Sequence, residues 1–157
     1  MLNEDYKEML QALADERVKF LLVGAYAMAA HGYPRVTMDI DLWVMPSTDN
    51  ADAVLRALNR FGAASQNLTR QDLIADDMIF QIGTAPRRID IITSASGLQF
   101  EETFRRSISV EIEGIEVHIP CLDDLICNKR ATGRTKDLAD AEALEILKDS
   151  RLIAPPE

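Results

Sequence analysis

The twenty residues from Val23 to Leu42, VGAYAMAAHGYPRVTMDIDL, restrict the possible folds of this chain more than any other stretch. The short apolar run Phe20 to Val23 reads as a buried strand, and Gly24 halts it. Ala25 to Ala30 are strong helix formers ending at His31 and Gly32, with Gly32 where a helix C-terminal glycine belongs. Tyr33 and Pro34 read as loop. From Asp39 to Val44 the chain alternates: Asp39, Asp41 and Trp43 point one way, Ile40, Leu42 and Val44 the other. This spacing predicts a half-buried strand with a polar face.

Two acids at i and i+2 on a strand share a face, with Cβ atoms about 6 to 7 Å apart. Such anions repel and raise each other's pKa unless a cation lies between them. Oxygen-only ligands select a hard ion, Mg²⁺ or Mn²⁺ rather than zinc. The alternatives for Asp39 and Asp41 are a solvated strand face or a salt bridge with Arg35. Gly24 leads into a helix whose first N–H groups suit phosphate, and a glycine there lets a ligand approach the backbone closely.

A third carboxylate follows. In RIDIIT, Arg88 to Thr93, Asp90 shares a face with Arg88 and Ile92, while Ile89 and Ile91 face the other way. A charge in so apolar a strand costs free energy without a partner. Pairing with Arg88 would supply one. If this strand instead lies beside the Asp39–Asp41 strand, three carboxylates converge as a two-metal phosphoryl-transfer site requires.

The rest of the chain supplies a mixed framework. Asn3 is a plausible N-cap, and Tyr6, Met9, Leu10 and Leu13 form one apolar helical face. Ser47 or Thr48 caps a helix from near Asp49, with apolar face Ala51, Val54, Leu55, Leu58 and Phe61. TRQD, Thr69 to Asp72, resembles a capping box. Met78 to Ile82 is a further strand candidate. Ser109 to Ile112 and Ile115 to Ile119 flank Glu113-Gly114 as a hairpin, and Pro120 ends it. Two helices follow, Leu122 to Ala131 and Lys136 to Leu147, broken at Gly133. With strands in the middle and helices at both ends, the prediction is an α+β domain: a small twisted mixed sheet flanked by helices, with a C-terminal helical pair.

The 157 residues contain no repeat or low-complexity linker, so residues 1–157 read as a single domain. A formal net charge of −9 argues against a surface that coats nucleic acid; phosphate binding must be local. No apolar run approaches the roughly 18 to 20 residues of a membrane span, and the acidic start MLNEDYKEML is unlike a signal peptide. A cytoplasmic protein is expected. Cys121 and Cys127 lack C-x-x-C spacing and read as buried fillers, which excludes a disulfide scaffold and a zinc ribbon. His31 and His118 read as capping or surface histidines. Trp43, on the carboxylate face, could stack on a base or cover a sheet edge. Lys129, Arg130, Arg134 and Lys136 surround the helix break, either as a solvated face or as an anion site. Asp137 and Asp140 either bond back to Arg134 or to the chain, the structural reading preferred here, or lie near the metal.

Taken together, these residues resemble the nucleotidyltransferases of the DNA polymerase β superfamily. That family carries Gly-Gly or Gly-Ser after a first strand, Asp-x-Asp on the next and a lone Asp on a third. The matching positions are Gly24 and Ala25, then Asp39 and Asp41, then Asp90. Ala27, Gly32, Arg35 and Thr37 extend the pattern, as do Lys129, Gly133, Arg134, Lys136, Asp137 and Asp140. The chain looks like the small bacterial group related to the AbiEii abortive-infection toxins, over roughly Leu21 to Asp140. Ala25 departs from the family's Gly or Ser; it keeps the N–H and small volume but offers no hydroxyl.

The resemblance implies a nucleotidyltransferase-like fold and transfer of a nucleoside monophosphate from an NTP such as ATP to an acceptor hydroxyl, releasing pyrophosphate. Asp39 and Asp41 would hold Mg²⁺ or Mn²⁺, and Asp90 would complete one metal site and position or deprotonate the acceptor. Gly24 and the Ala25 N–H would cradle phosphates; Arg35, Thr37, Lys129, Arg134 and Lys136 would bind nucleotide. The acceptor stays open between tRNA, protein and small molecule. The alternative is a non-catalytic relative of the same fold, acting as one half of a two-protein toxin–antitoxin system.

Overall fold

A computed structural model describes residues 2–33, 39–63, 67–84 and 87–153. Arg35 and Thr37 lie outside the described residues.

The chain opens with α1 (Glu4–Asp15), where the Asn3 side chain accepts from the Tyr6 N–H at 2.9 Å as N-cap. Its predicted face of Tyr6, Met9, Leu10 and Leu13 is fully buried. β1 (Phe20–Val23) runs into α2 (Gly24–Ala30), which His31 caps. After β2 (Ile40–Val44) comes α3 (Thr48–Phe61), begun by the Ser47 hydroxyl and closed by Gly62 in the left-handed region at φ +89°. Thr69 and Asp72 form the predicted capping box of α4 (Arg70–Ile74). β3 (Ile79–Ile82) and β4 (Ile89–Ile92) follow.

Next comes α5 (Phe100–Arg105), then β5 (Ile108–Ile112), β6 (Ile115–Ile119), α6 (Leu122–Thr132) and α7 (Thr135–Ile153). The sequence reading contained no helix at α5. Its N-cap is Gln99, with no side-chain capping bond. Burial of Phe100 and Thr103 holds this single-turn-scale element, not a local signal.

Four strands form one mixed sheet in the order β1-β2-β4-β3, and β5-β6 pair as a separate hairpin. β1 is antiparallel to β2, β2 parallel to β4, and β4 antiparallel to β3. A parallel pair needs a long crossover; here α3, α4 and β3 supply it. The main core lies between this sheet and α1, α3 and α6, and β6 packs against β1 and α1. This is the predicted α+β architecture.

Two expectations are corrected. The Asp39–Trp43 face is polar only to Asp41. Trp43 is 1% exposed, packed edge-on against Phe100 at 5.2 Å in a second apolar cluster with Leu21 and Val23, so it neither stacks on a ligand nor covers a free edge. Cys127 is exposed and Cys121 only half-buried, so neither is a core filler. No helix among the described residues is long and apolar enough to cross a membrane.

Asn50 carries weight that the sequence did not announce. It is 6% exposed. Its Oδ1 accepts from the Lys19 N–H at 2.7 Å, and its Nδ2 donates to the carbonyls of Lys19 at 3.0 Å and Met45 at 2.9 Å. These bonds tie the start of β1 to the end of β2.

Candidate active site

One register line across the sheet builds the site. Val23, Asp41, Asp90 and Gln81 lie side by side on β1, β2, β4 and β3. The chain therefore leaves β1 and enters α2 directly beside Asp41. The turn needs Gly24 at φ +70°, and a Cβ there would stand 2.4 Å from Asp41 Oδ2. Glycine is the only residue that meets both demands.

Asp39, Asp41 and Asp90 line one cleft of about 420 Å³ with Gly24, Ala25, Arg88, Lys129, Arg134 and Lys136. All of the sequence-predicted site residues that the structure describes thus meet in one place. A neighbouring hollow of about 410 Å³ shares Gly24, Asp41, Lys129 and Arg134, and adds Ser94, Ser96, Asn128 and Ile92. Sequence reasoning placed Ile92 on the face of Asp90 but did not single out Ser94, Ser96 and Asn128; polar residues in loops and on a half-exposed helix face give no periodic signal.

Arg88 dominates the electrostatics of the acidic end. Its Nε donates to Asp90 Oδ1 at 2.7 Å and its Nη2 to Asp90 Oδ2 at 3.1 Å. Nη2 also lies 3.3 Å from Asp39 Oδ2, and the Arg88 backbone N–H donates to Asp39 Oδ1 at 3.2 Å. The ion pair weighed against a ligand role for Asp90 is therefore formed. From α1, the Tyr6 hydroxyl supports this corner by donating to the Arg88 carbonyl at 3.2 Å.

Asp41 differs from both neighbours. Among the described residues, no donor or cation bonds directly to its carboxylate. Burial, with the negative charges of Asp90 and Asp39, pushes its pKa up to about 6, against weaker opposing pulls from Arg88 and Lys129.

On the helical side, Lys129 Nζ lies 3.2 Å from Asp137 Oδ1 and 3.3 Å from Asp140 Oδ2. Asp137 Oδ2 also accepts from Arg134 Nε at 2.9 Å and from the Thr132 hydroxyl at 2.8 Å. Burial opposes ionisation of Asp137, but the Thr132 hydroxyl, Lys129 and Arg134 outweigh it and hold its pKa below the usual value. Asp137 and Asp140 are thus structural partners of the basic residues. Gly133 caps α6 at φ +69° and turns the chain so that Arg134 and Lys136 reach the cleft.

The donor set here is all oxygen and carries more carboxylate than Arg88 can neutralise, which fits a hard divalent ion in kind. Among the described residues, however, no three acidic, histidine or cysteine side chains stand grouped as ready metal ligands. Arg88 contacts all four oxygens of Asp39 and Asp90.

In fold, the chain is similar to a Thermotoga maritima protein, described only provisionally as a nucleotidyltransferase, solved by crystallography at 1.87 Å. The two share 14% identity over 96% of each chain, with a TM-score of 0.58. That likeness concerns the fold alone. No curated protein matches the sequence. A family model described as a nucleotidyltransferase of unknown function, DUF6036, matches residues 1–152, nearly the whole chain and every site residue named above, and the protein belongs to that family.

Proposed function

We propose that the protein transfers a nucleoside monophosphate from an NTP to an acceptor hydroxyl, with Mg²⁺ or Mn²⁺ held by Asp39, Asp41 and Asp90. The observation that carries this reading is the parallel register of β2 and β4, which sets Asp41 beside Asp90 at the point where Gly24 begins α2. Bound there, a divalent ion would polarise the phosphoryl oxygens and stabilise the attacking and leaving oxygens of an in-line displacement. Gly24 and the Ala25 N–H stand where a helix start favours phosphate. Arg134 and Lys136 reach into the cleft as cations for the triphosphate, and Lys129 is fixed beside them. Asp90 completes one metal site and orients the acceptor hydroxyl. Positioning and electrostatics lower the barrier; no covalent intermediate is needed. Cellular NTPs place such a reaction in the cytoplasm.

The test is incubation with each NTP labelled in its α-phosphate, the group kept when pyrophosphate leaves, together with Mg²⁺ and a cell extract. Label should appear on one species with wild type and vanish with Asp41→Asn. The labelled species identifies the acceptor as RNA, a protein (including a partner in a two-protein system) or a small molecule. No labelled species with any NTP would overturn the transferase reading.

A further inference from the structure

The carboxylates of this site are not equivalent, and one side chain makes the difference. Arg88 bonds both oxygens of Asp90 through Nε and Nη2. It meets both oxygens of Asp39 through its backbone N–H and Nη2. It spans β2 and β4 at the mouth of their parallel pair, immediately before β4 begins. Asp41, in register with Asp90 and two residues from Asp39, receives no such bond among the described residues. A divalent ion drawing on Asp39 or Asp90 must share oxygens with a guanidinium already seated on them. Two cations that close repel, and the effect is strong at a half-buried site. Arg88 is not locked in: its side chain is 29% exposed and lines the same cleft as Lys129, Arg134 and Lys136.

We propose that Arg88 is an internal counter-cation that competes with the divalent ion for Asp39 and Asp90, so that metal and Arg88 hold these carboxylates in alternation. The proposal rests on the metal-dependent reading above. Without metal, Arg88 neutralises the acidic end of the central β2–β4 pair. When metal binds, the guanidinium leaves the carboxylates and turns into the cleft, where an anionic substrate is its natural partner. Mg²⁺ alone should therefore bind weakly, and an NTP that accepts the displaced guanidinium should strengthen binding.

The experiment is calorimetric titration of MgCl₂ into wild type, Arg88→Gln and Arg88→Lys, with and without a non-hydrolysable ATP analogue. Circular dichroism of each variant serves as a folding check. Arg88→Gln should bind Mg²⁺ at least tenfold more tightly than wild type, and the analogue should tighten Mg²⁺ binding less in the variant. A second measurement needs no variant. In nitrogen-15 protein, the Arg88 Nε–H resonance should shift and exchange faster with water, saturably, as Mg²⁺ is added. Equal Mg²⁺ affinity in wild type and Arg88→Gln, or a resonance unmoved at metal saturation, would overturn the competition and leave the transferase reading standing. No Mg²⁺ binding to any of the proteins, even with the analogue, would overturn both.

Discussion

Gly24 and Asp41 are so close that the hydrogen of one replaces a methyl the other could not accommodate: a Cβ on Gly24 would lie 2.4 Å from Asp41 Oδ2. Gly24→Ala therefore carries two penalties, a left-handed backbone at φ +70° and a displaced carboxylate. Gly114 isolates the first penalty, because it has φ +85° with nothing within 4 Å of its missing Cβ. Gly114→Ala should cost about 1 to 2 kcal/mol, and Gly24→Ala a further 1 to 3 kcal/mol or so for overpacking. Urea unfolding of the two variants measures the difference. Equal losses would show that Asp41 swings aside freely.

The raised pKa of Asp41 makes stability depend on pH with a definite sign. Its carboxyl titrates near 6 in the fold, above the 3.8 of the free group. Between those values the folded state holds more protons than the unfolded one, so stability falls as pH rises through about 4 to 6. Asp41→Asn should remove this slope. At pH 3.5 it should match wild type; at pH 7.5, without metal, it should be more stable by about 1 to 2 kcal/mol, allowing for solvent screening of a partly exposed group. Denaturation across this range checks it, and parallel profiles would contradict it.

Arg134 and Lys136 are exposed residues of the cleft. Alanine should leave stability within about 0.5 kcal/mol at Lys136 and within about 1 kcal/mol at Arg134, whose exposed guanidinium pairs with Asp137, yet weaken binding of an Mg–NTP complex by about 1 to 3 kcal/mol at either. Lys129 belongs to a different class. Its side chain is 15% exposed and sits between Asp137 and Asp140. Lys129→Ala should destabilise the fold by about 1 to 3 kcal/mol, since two buried carboxylates lose the cation they share while Asp137 keeps Arg134 and the Thr132 hydroxyl. Thermal melts beside nucleotide titrations separate the two behaviours.

Asn50→Ala leaves the two Lys19 backbone groups and the Met45 carbonyl without their side-chain partner. The two carbonyls keep backbone donors, so each lost hydrogen bond costs about 0.5 to 1.5 kcal/mol. A total loss of about 2 to 4 kcal/mol is expected by denaturant unfolding. Mg–NTP affinity measured well below the melting temperature should stay unchanged, because Asn50 lies at the end of β2 remote from the cleft-lining residues.

Where the chemistry is local, the sequence carries it in readable form. The alternation in DIDLWV, the capping residues Asn3, Ser47 and Thr69, and the glycine after β1 each act within a few residues, and each of these elements forms as expected. What is non-local is not readable. Trp43 continues the alternation of Asp39 and Asp41, yet Phe100, more than fifty residues on, covers it and makes that end of the face apolar. α5 has no capping side chain to announce it, and α7 extends to Ile153, six residues past its predicted end, where Arg151 bonds the His31 carbonyl from across the molecule. The three aspartates could be named from their spacing. That one arginine would engage two of them required the register of β2 and β4.

The parallel pairing of β2 with β4 also orders events while the chain is being made. β1 and β2 can pair as soon as both have emerged, but the opposite edge of β2 has no partner until β4 arrives, nearly fifty residues later. Until then the nascent sheet ends in the apolar strand Ile40–Val44 with an open row of backbone donors and acceptors, the kind of edge that invites aggregation. Closing so long a loop is slow compared with forming a hairpin. The helices α3 and α4, made in the interval, form from local contacts and can shield that strand first. Asp41 thus meets Asp90 only when the edge is sealed, and a chain stalled before Arg88 leaves that edge of β2 open.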